Sequence, residues 1–245
     1  MQISCSGNVM KVVSFDVWNT LLNTTIFYRK IALQLSRIVD SDAEEILDRI
    51  LKVYRKIKLM RVREAIDENR VVEHSMEILL EQLDGIRREH VVKSIVSVVV
   101  SDDLKDLMID DSLDIVSKLA GKNYTIITIG NLVFWPGTIN RIILEKLGYT
   151  KYLTAQIYAD EVKCSKPRSC IFNKALEALK ELGIEPVEVY HVGDSFREDL
   201  LGALGAGFKA VLIDRNGEYC RKDICEVFKK QAFIVNKLSQ ILSIL

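Results

Sequence analysis

Short apolar and β-branched runs recur along the chain, each bounded by polar or glycine positions. They are Val12-Val13-Ser14-Phe15, Tyr124 to Ile129, Ala155 to Tyr158, Val187 to Val192 and Lys209 to Ile213. Such runs predict strands. Between them apolar residues return at three- and four-residue intervals, which predicts amphipathic helices. Ser112 to Leu119 precedes the second run, and Pro136-Gly137 opens a helix over Thr138 to Leu147. Ser169 to Leu182 leads into the run at Val187, with Pro167 where a first helical turn tolerates proline. Asp199 to Ala206 follows that run, and Val235 to Leu245 reads as a closing helix. Strands alternating with helices imply βαβ units, hence an α/β fold with a mainly parallel sheet in a three-layer core.

One segment breaks the alternation. From Thr24 to about Lys105 there is no proline, and Gly85 is the sole glycine. Ile31, Leu35 and Ile38, then Ile46, Leu47, Ile50, Leu51 and Tyr54, form helical stripes; Glu77 to Leu83 and Val91 to Val100 predict two more helices. The expected organisation is a core of residues 10–23 and 106–245 with an all-helical insert at 24–105.

Composition narrows the class. Of 245 residues, 49% are hydrophobic and 28% charged, enough apolar material for a sizeable core. Lys plus Arg and Asp plus Glu balance at 34 each, so no overall field draws in nucleic acid or a membrane surface. No apolar run is long enough to cross a bilayer. Met1 to Met10 lacks the basic and apolar regions of a signal peptide; it reads as a polar extension, with Met10 an alternative start, and the cytoplasm is the expected location. Cysteines stand at 5, 164, 170, 220 and 225 without a C-x-x-C pair. That pattern predicts free buried thiols rather than a zinc site or disulfide framework. Oxidation would join Cys164 to Cys170 or Cys220 to Cys225.

Ligands of open parallel sheets bind at the carboxyl ends of the strands. The first strand ends in Asp16-Val17-Trp18-Asn19-Thr20-Leu21-Leu22, and the second in Gly130-Asn131. Lys166-Pro167 precedes a helix, and the Val187 strand ends in Gly193-Asp194-Ser195-Phe196-Arg197-Glu198-Asp199. Taken singly, Asp16, Asp194 and Asp199 read as turn or cap residues and Lys166 as a surface charge. Together, two acidic strand ends and a lysine converging on one crevice suit a divalent cation beside an anionic substrate.

FDVWNTLL, the K-P pair, and GDSFRED followed by LLGALGAG resemble three sequential motifs of the haloacid dehalogenase superfamily, in the right order. The resemblance covers Met10 to the C-terminus, and the helical insert is similar to that family's cap. It implies a hydrolase, most simply a phosphatase acting on a small phosphorylated molecule with Mg²⁺ as cofactor. Asp16 would be the nucleophile, forming an aspartyl phosphate. Asp16, the Trp18 backbone carbonyl and Asp194 would bind the metal, with Asp199 steadying it or its waters. Lys166 would neutralise charge shared by Asp16 and the phosphoryl oxygens. Backbone N–H groups of the Val17 to Asn19 loop, together with Asn19, Thr20 and Asn131, are the expected phosphate contacts.

Two positions depart from the family pattern. Trp18 stands where phosphatases of the family carry a second Asp as general acid, a group worth about 10²–10⁴-fold. Gly130 stands where the second motif carries Ser or Thr, with Thr128 two residues deeper on the strand. An aromatic residue at position 18 is similar to the 2-haloacid dehalogenase branch, while Gly193-Asp194 and Asp199 favour metal-assisted phosphoryl chemistry. A fold-conserving protein that only binds is a third reading. Elsewhere, His191 is expected as a hydrogen-bonded core imidazole, and His74 and His90 on the surface of the insert. The basic run Lys52 to Arg63 is expected as a solvated helix face. Tyr28 and Arg29 are candidate substrate contacts.

Overall fold

A computed structural model describes residues 10–100, 104–109 and 111–245. The polar extension before Met10, Cys5 included, and residues 101–103 of the insert lie outside the described residues. In chain order the elements are β1 (Met10–Phe15), α1 (Thr24–Val39), α2 (Ala43–Val62), α3 (Val71–Leu80), α4 (Arg88–Val100), α5 (Ser112–Gly121), β2 (Thr125–Gly130) and α6 (Gly137–Lys146). There follow β3 (Leu153–Tyr158), α7 (Ala159–Val162), α8 (Ser169–Glu181), β4 (Pro186–Gly193), α9 (Gly202–Gly205), β5 (Lys209–Ile213), β6 (Ile224–Val227) and β7 (Ala232–Val235).

The strands form one sheet in the order β3-β2-β1-β4-β5-β7-β6. Every neighbouring pair is parallel except the edge pair β6–β7. Alternation along the strands sends side chains to two buried clusters. Val13, Phe15, Val192 and Ile213 join one with α1 and α5; Val12, Ile127, Val189 and Leu212 join the other with α8 and α9. The chain order reverses between β1 and β4, which opens a crevice beyond their carboxyl ends.

Among the described residues four α-helices and two short 3₁₀ turns stand between β1 and α5. Asn23 caps α1 by accepting from the Ile26 N–H, and Asp42 caps α2 by accepting from Glu45. α1 packs against α2 and α4 through Phe27, Ile31, Leu35, Ile46, Ile50, Ile95 and Val98. No helix among the described residues is long and apolar enough to cross a membrane.

Several local expectations need correction. Residues 235–245 do not form one helix: Val235 ends β7, whose backbone pairs with β5 at Leu212↔Ile234, and Leu238–Ser243 is a 3₁₀ segment burying Leu238 and Ile241. The helix expected from Asp199 is a π-helical turn, Phe196–Leu201, running into α9. Pro167 does not open α8, which starts at Ser169; the Lys166–Pro167 peptide is cis. The helix expected at Glu77 to Leu83 runs earlier, as α3. The cysteines expected as free thiols form the disulfides Cys164–Cys170 and Cys220–Cys225, each pair bringing Cα atoms to 6.1 Å.

Candidate active site

Asp16 follows β1 and is pinned by its own backbone, whose N–H donates to the Val192 carbonyl at the end of β4 (2.8 Å). Asp194 and Asp199 follow β4, so strand pairing alone delivers three carboxylates to one crevice. Their ligating oxygens lie within 4.8 Å of one another. Lys166 is fully buried between two of them, its Nζ donating to Asp16 Oδ1 (2.7 Å) and Asp199 Oδ1 (2.6 Å).

Asp199 is saturated. Its Oδ1 also meets His191 Nε2 (3.0 Å) and its Oδ2 accepts from the Ser195 N–H (2.8 Å). A carboxylate only accepts, so Nε2 carries the imidazole proton and Nδ1 accepts from the Ser14 hydroxyl (2.7 Å). His191 is thus the expected core imidazole, and it steadies Asp199 from beneath. Burial alone would raise the Asp199 pKa, but Lys166 and His191 outweigh it and hold the carboxyl well below its usual range. Burial also disfavours the Lys166 charge, and Asp16 and Asp199 reverse that to keep it protonated.

The other two carboxyls are under-compensated. Burial, only partly offset by Lys166, raises Asp16 to about 6. Burial, with Asp16 and Asp199 adding to it, raises Asp194 to about 7. Three acids share one fixed lysine, and Asp194 accepts no hydrogen bond among the described residues. Hard oxygen donors with surplus negative charge fit a divalent cation such as Mg²⁺. Asp16 Oδ2, whose sole hydrogen-bond partner among the described residues is Thr20 Oγ1 at 3.4 Å, and the Asp194 carboxylate are the oxygens free to hold it.

The remaining expected residues take varied places. Thr20 reaches Asp16 as stated, while Asn19 turns inward: its Oδ1 accepts from the Thr24 N–H, and its own N–H donates to Leu22. Asn19 sits at φ 62°, and its N–H, given to the Leu22 carbonyl (2.6 Å), is not open to a phosphate. The Asn131 amide spans Lys166, its Nδ2 donating to the lysine carbonyl (3.0 Å) and its Oδ1 accepting from the lysine N–H (2.8 Å). Its side chain positions Lys166 instead of standing free for ligand. Gly130 has a steric cause: a Cβ there would lie 3.0 Å from the Tyr158 ring.

Trp18 turns into an aromatic cluster, stacked on Phe27 (5.0 Å) and edge-on to Trp135 (5.3 Å). Its Nε1 and that of Trp135 both donate to Asn140 Oδ1, at 3.1 and 2.9 Å. Asp16, Trp18, Tyr28, Asn131, Asp194 and Asp199 line a narrow cavity of about 30 Å³. Tyr28 is a lining residue as expected, but Arg29 points away, exposed and paired with Glu44. His74 and His90 are half-buried in the insert.

The basic run is not simply solvated. Arg61 is buried, donating to Glu198 Oε1 (3.0 Å) and to the Leu132 carbonyl (2.7 Å). Lys58 and Tyr54 line the cavity with it. The signal was present as Tyr54, Lys58 and Arg61 at i, i+4 and i+7, one face of α2. Nothing in the sequence linked that face to Glu198, 137 residues on.

Residues 10–207 match the family model for haloacid dehalogenase-like hydrolases. A glyceraldehyde 3-phosphate phosphatase of Methanothermobacter thermautotrophicus is 32% identical over 102 residues, 42% of this chain and 44% of that protein. The chain spans less than half the length of the curated relatives it matches. Among solved structures, the putative hydrolase YfnB of Bacillus subtilis, bound to magnesium, superposes with a TM-score of 0.72 at 16% identity, covering 97% of this chain and 99% of that one. A 2-haloacid dehalogenase of Pseudomonas syringae superposes at 0.62 and 18% identity, covering 96% of this chain and 97% of that one. At these identities the structural likeness establishes the fold alone.

Proposed function

The chain belongs to the haloacid dehalogenase-like hydrolases, and from that premise we propose that it hydrolyses a small phosphate monoester through a covalent aspartyl phosphate on Asp16. The supporting observation is the pairing of Asp16 and Asp194 at adjacent strand ends, with charge left over after Lys166 is counted. A carbon–halogen hydrolase would need no such surplus of carboxylate. The phosphatase named above as a relative agrees with this choice.

Mg²⁺, when bound by Asp16, Asp194 and the Trp18 carbonyl, supplies charge neutralisation for the attack of a carboxylate on a phosphate dianion. Asp16 would attack phosphorus through one carboxylate oxygen while its other oxygen faces the metal, and Lys166, which donates to Oδ1, holds the group in orientation. Lys166 balances the carboxylate and, as charge shifts outward, the phosphoryl oxygens. Asp199 keeps Lys166 in place, and Asn131 fixes its backbone. The helices from 24 to 105 act as a cap, with Tyr28, Tyr54 and the aromatic cluster excluding water from the cavity.

Hydrolysis of p-nitrophenyl phosphate by the wild type and Asp16→Asn, with Mg²⁺ and with EDTA, tests this reading. Release that requires both the carboxylate and the metal is expected. Release by Asp16→Asn at the wild-type rate would remove Asp16 as nucleophile. Silence of the wild type toward phosphate esters, with halide release from 2-haloacids, would install the dehalogenase instead.

A further inference from the structure

We propose that Lys58 is a further catalytic residue, whose ammonium donates a hydrogen bond to the departing ester oxygen in place of the proton that Trp18 cannot supply. The inference rests on the phosphatase reading.

Among the described residues Lys58 and Arg61 line the cavity and Lys166 lies against Asp16 and Asp199, which also line it; of these three cations two are fixed. Lys166 is locked between Asp16 and Asp199, and Arg61 between Glu198 and the Leu132 carbonyl. Lys58 is half-buried and enters no salt bridge among the described residues; its Nζ lies 5.8 Å from the centre of the Tyr54 ring. Arg61, one turn further along the same helix face, anchors α2 against Glu198, so Lys58 is held over the crevice by a neighbour that cannot swing away. Lys58 also borders two open clefts, one beside Asp214 and Arg215, the other beside Leu59 and Phe196. It therefore stands where the enclosed cavity meets solvent, the side from which a leaving group must depart.

Trp18 has no proton to transfer, and its indole N–H is committed to Asn140. The Lys58 charge is durable: burial opposes it, but Tyr54, Glu198, Asp194 and Asp199 outweigh that and hold the pKa above the usual lysine value. Such a group stabilises a developing oxyanion without giving up its proton. The bond from Asp16 oxygen to phosphorus forms while the phosphorus–ester oxygen bond breaks, leaving its electron pair on the ester oxygen. That oxyanion accepts from Lys58 and takes its proton from water. The hydroxide so formed attacks phosphorus of the aspartyl phosphate, releasing inorganic phosphate and restoring the Asp16 carboxylate.

The test compares p-nitrophenyl, phenyl and ethyl phosphates with the wild type, Lys58→Met and Lys58→Arg, each checked for unchanged thermal unfolding and Mg²⁺ requirement. Lys58→Met should lose about 10²–10³-fold in kcat on ethyl phosphate, the range seen when one oxyanion donor is removed. It should lose only a few-fold on p-nitrophenyl phosphate, whose oxyanion needs little help. Lys58→Arg should recover most of the loss. An equal fall on all three esters, or a fall matched by a weaker hold on Mg²⁺, would make Lys58 a counter-charge to Asp194 and overturn the proposal. A wild type that releases phosphate from none of them instead fails the phosphatase reading, and this inference with it.

Discussion

Gly193 and Asp199 are so close that a Cβ on the glycine would lie 2.1 Å from the aspartate Cγ. The Gly-Asp pair that ends β4 therefore has a steric meaning: its first member makes room for a carboxylate six residues later. Gly193→Ala should push Asp199 off Lys166, His191 and the Ser195 N–H together. Overpacking of this kind costs about 1–3 kcal/mol, and misplacing a group in the reacting constellation costs on the order of 10²-fold in kcat/KM. Denaturant unfolding and phosphate release measure the two losses. A variant with wild-type turnover would show that the Asp199–Lys166 contact does not matter to the chemistry.

The acidic cluster makes stability depend on pH with an unusual sign. Asp16 and Asp194 titrate near 6 and 7 in the folded chain, against about 3.9 for an unperturbed aspartate. Between about pH 4 and 7 the folded metal-free state therefore binds more protons than the unfolded one, so stability falls as pH rises through that window. The loss is on the order of a few kcal/mol. Asp199 has the opposite sign, its contribution lost only as pH falls below about 4. In EDTA the melting temperature should drop from pH 5 to pH 8, and Mg²⁺ should restore it most at pH 8, where the carboxylates are ionised. A melting temperature that climbs over this range in EDTA would contradict the clustering of the three acids.

Arg61 and Glu198 form a buried ion pair between α2 and the turn after β4. Removing one partner strands the other charge and should cost about 3–5 kcal/mol in Arg61→Met or Glu198→Leu. The double variant should recover much of it, because two apolar side chains replace a desolvated pair. Equilibrium unfolding of the three proteins closes the cycle. Additive losses would show that the two side chains do not interact.

Trp18 and Trp135 are the two tryptophans of the chain, and both donate to Asn140 Oδ1. Indole fluorescence thus reports the site and nothing else. Asn140→Leu leaves two buried N–H groups unpaired, at about 1–3 kcal/mol each. The variant should be destabilised, with altered emission and an unfolding transition still followed by the same signal. Unchanged emission would mean that the indoles are not held as described.

Most of the sheet was legible because its strands carry their chemistry at their ends: Val12 to Phe15 runs into Asp16, and Val187 to Val192 into Gly193-Asp194. The acids could be placed at strand carboxyl ends from the alternation of strands and helices, and Lys166 was joined to them by the order of the three motifs. What stayed hidden depends on partners far along the chain. Asn131 reads as a ligand contact until its amide is seen to clasp Lys166, 35 residues on. Lys58 and Arg61 read as a solvated face because they belong to the basic run Lys52 to Arg63, and such charge runs are usually solvated. The β6–β7 edge was missed because Ala232 to Val235 is too short for periodicity to separate strand from helix, and its pairing with β5 decides the matter.

The Cys164–Cys170 disulfide closes a ring of residues that contains Lys166, while Asn131 clamps the same backbone through both its amide atoms. A cation held this way has almost no orientational freedom to lose when charge moves across the crevice. Its solvent-like response is frozen during folding, so the reorganisation that water would have to perform in each cycle is already complete before any ligand arrives.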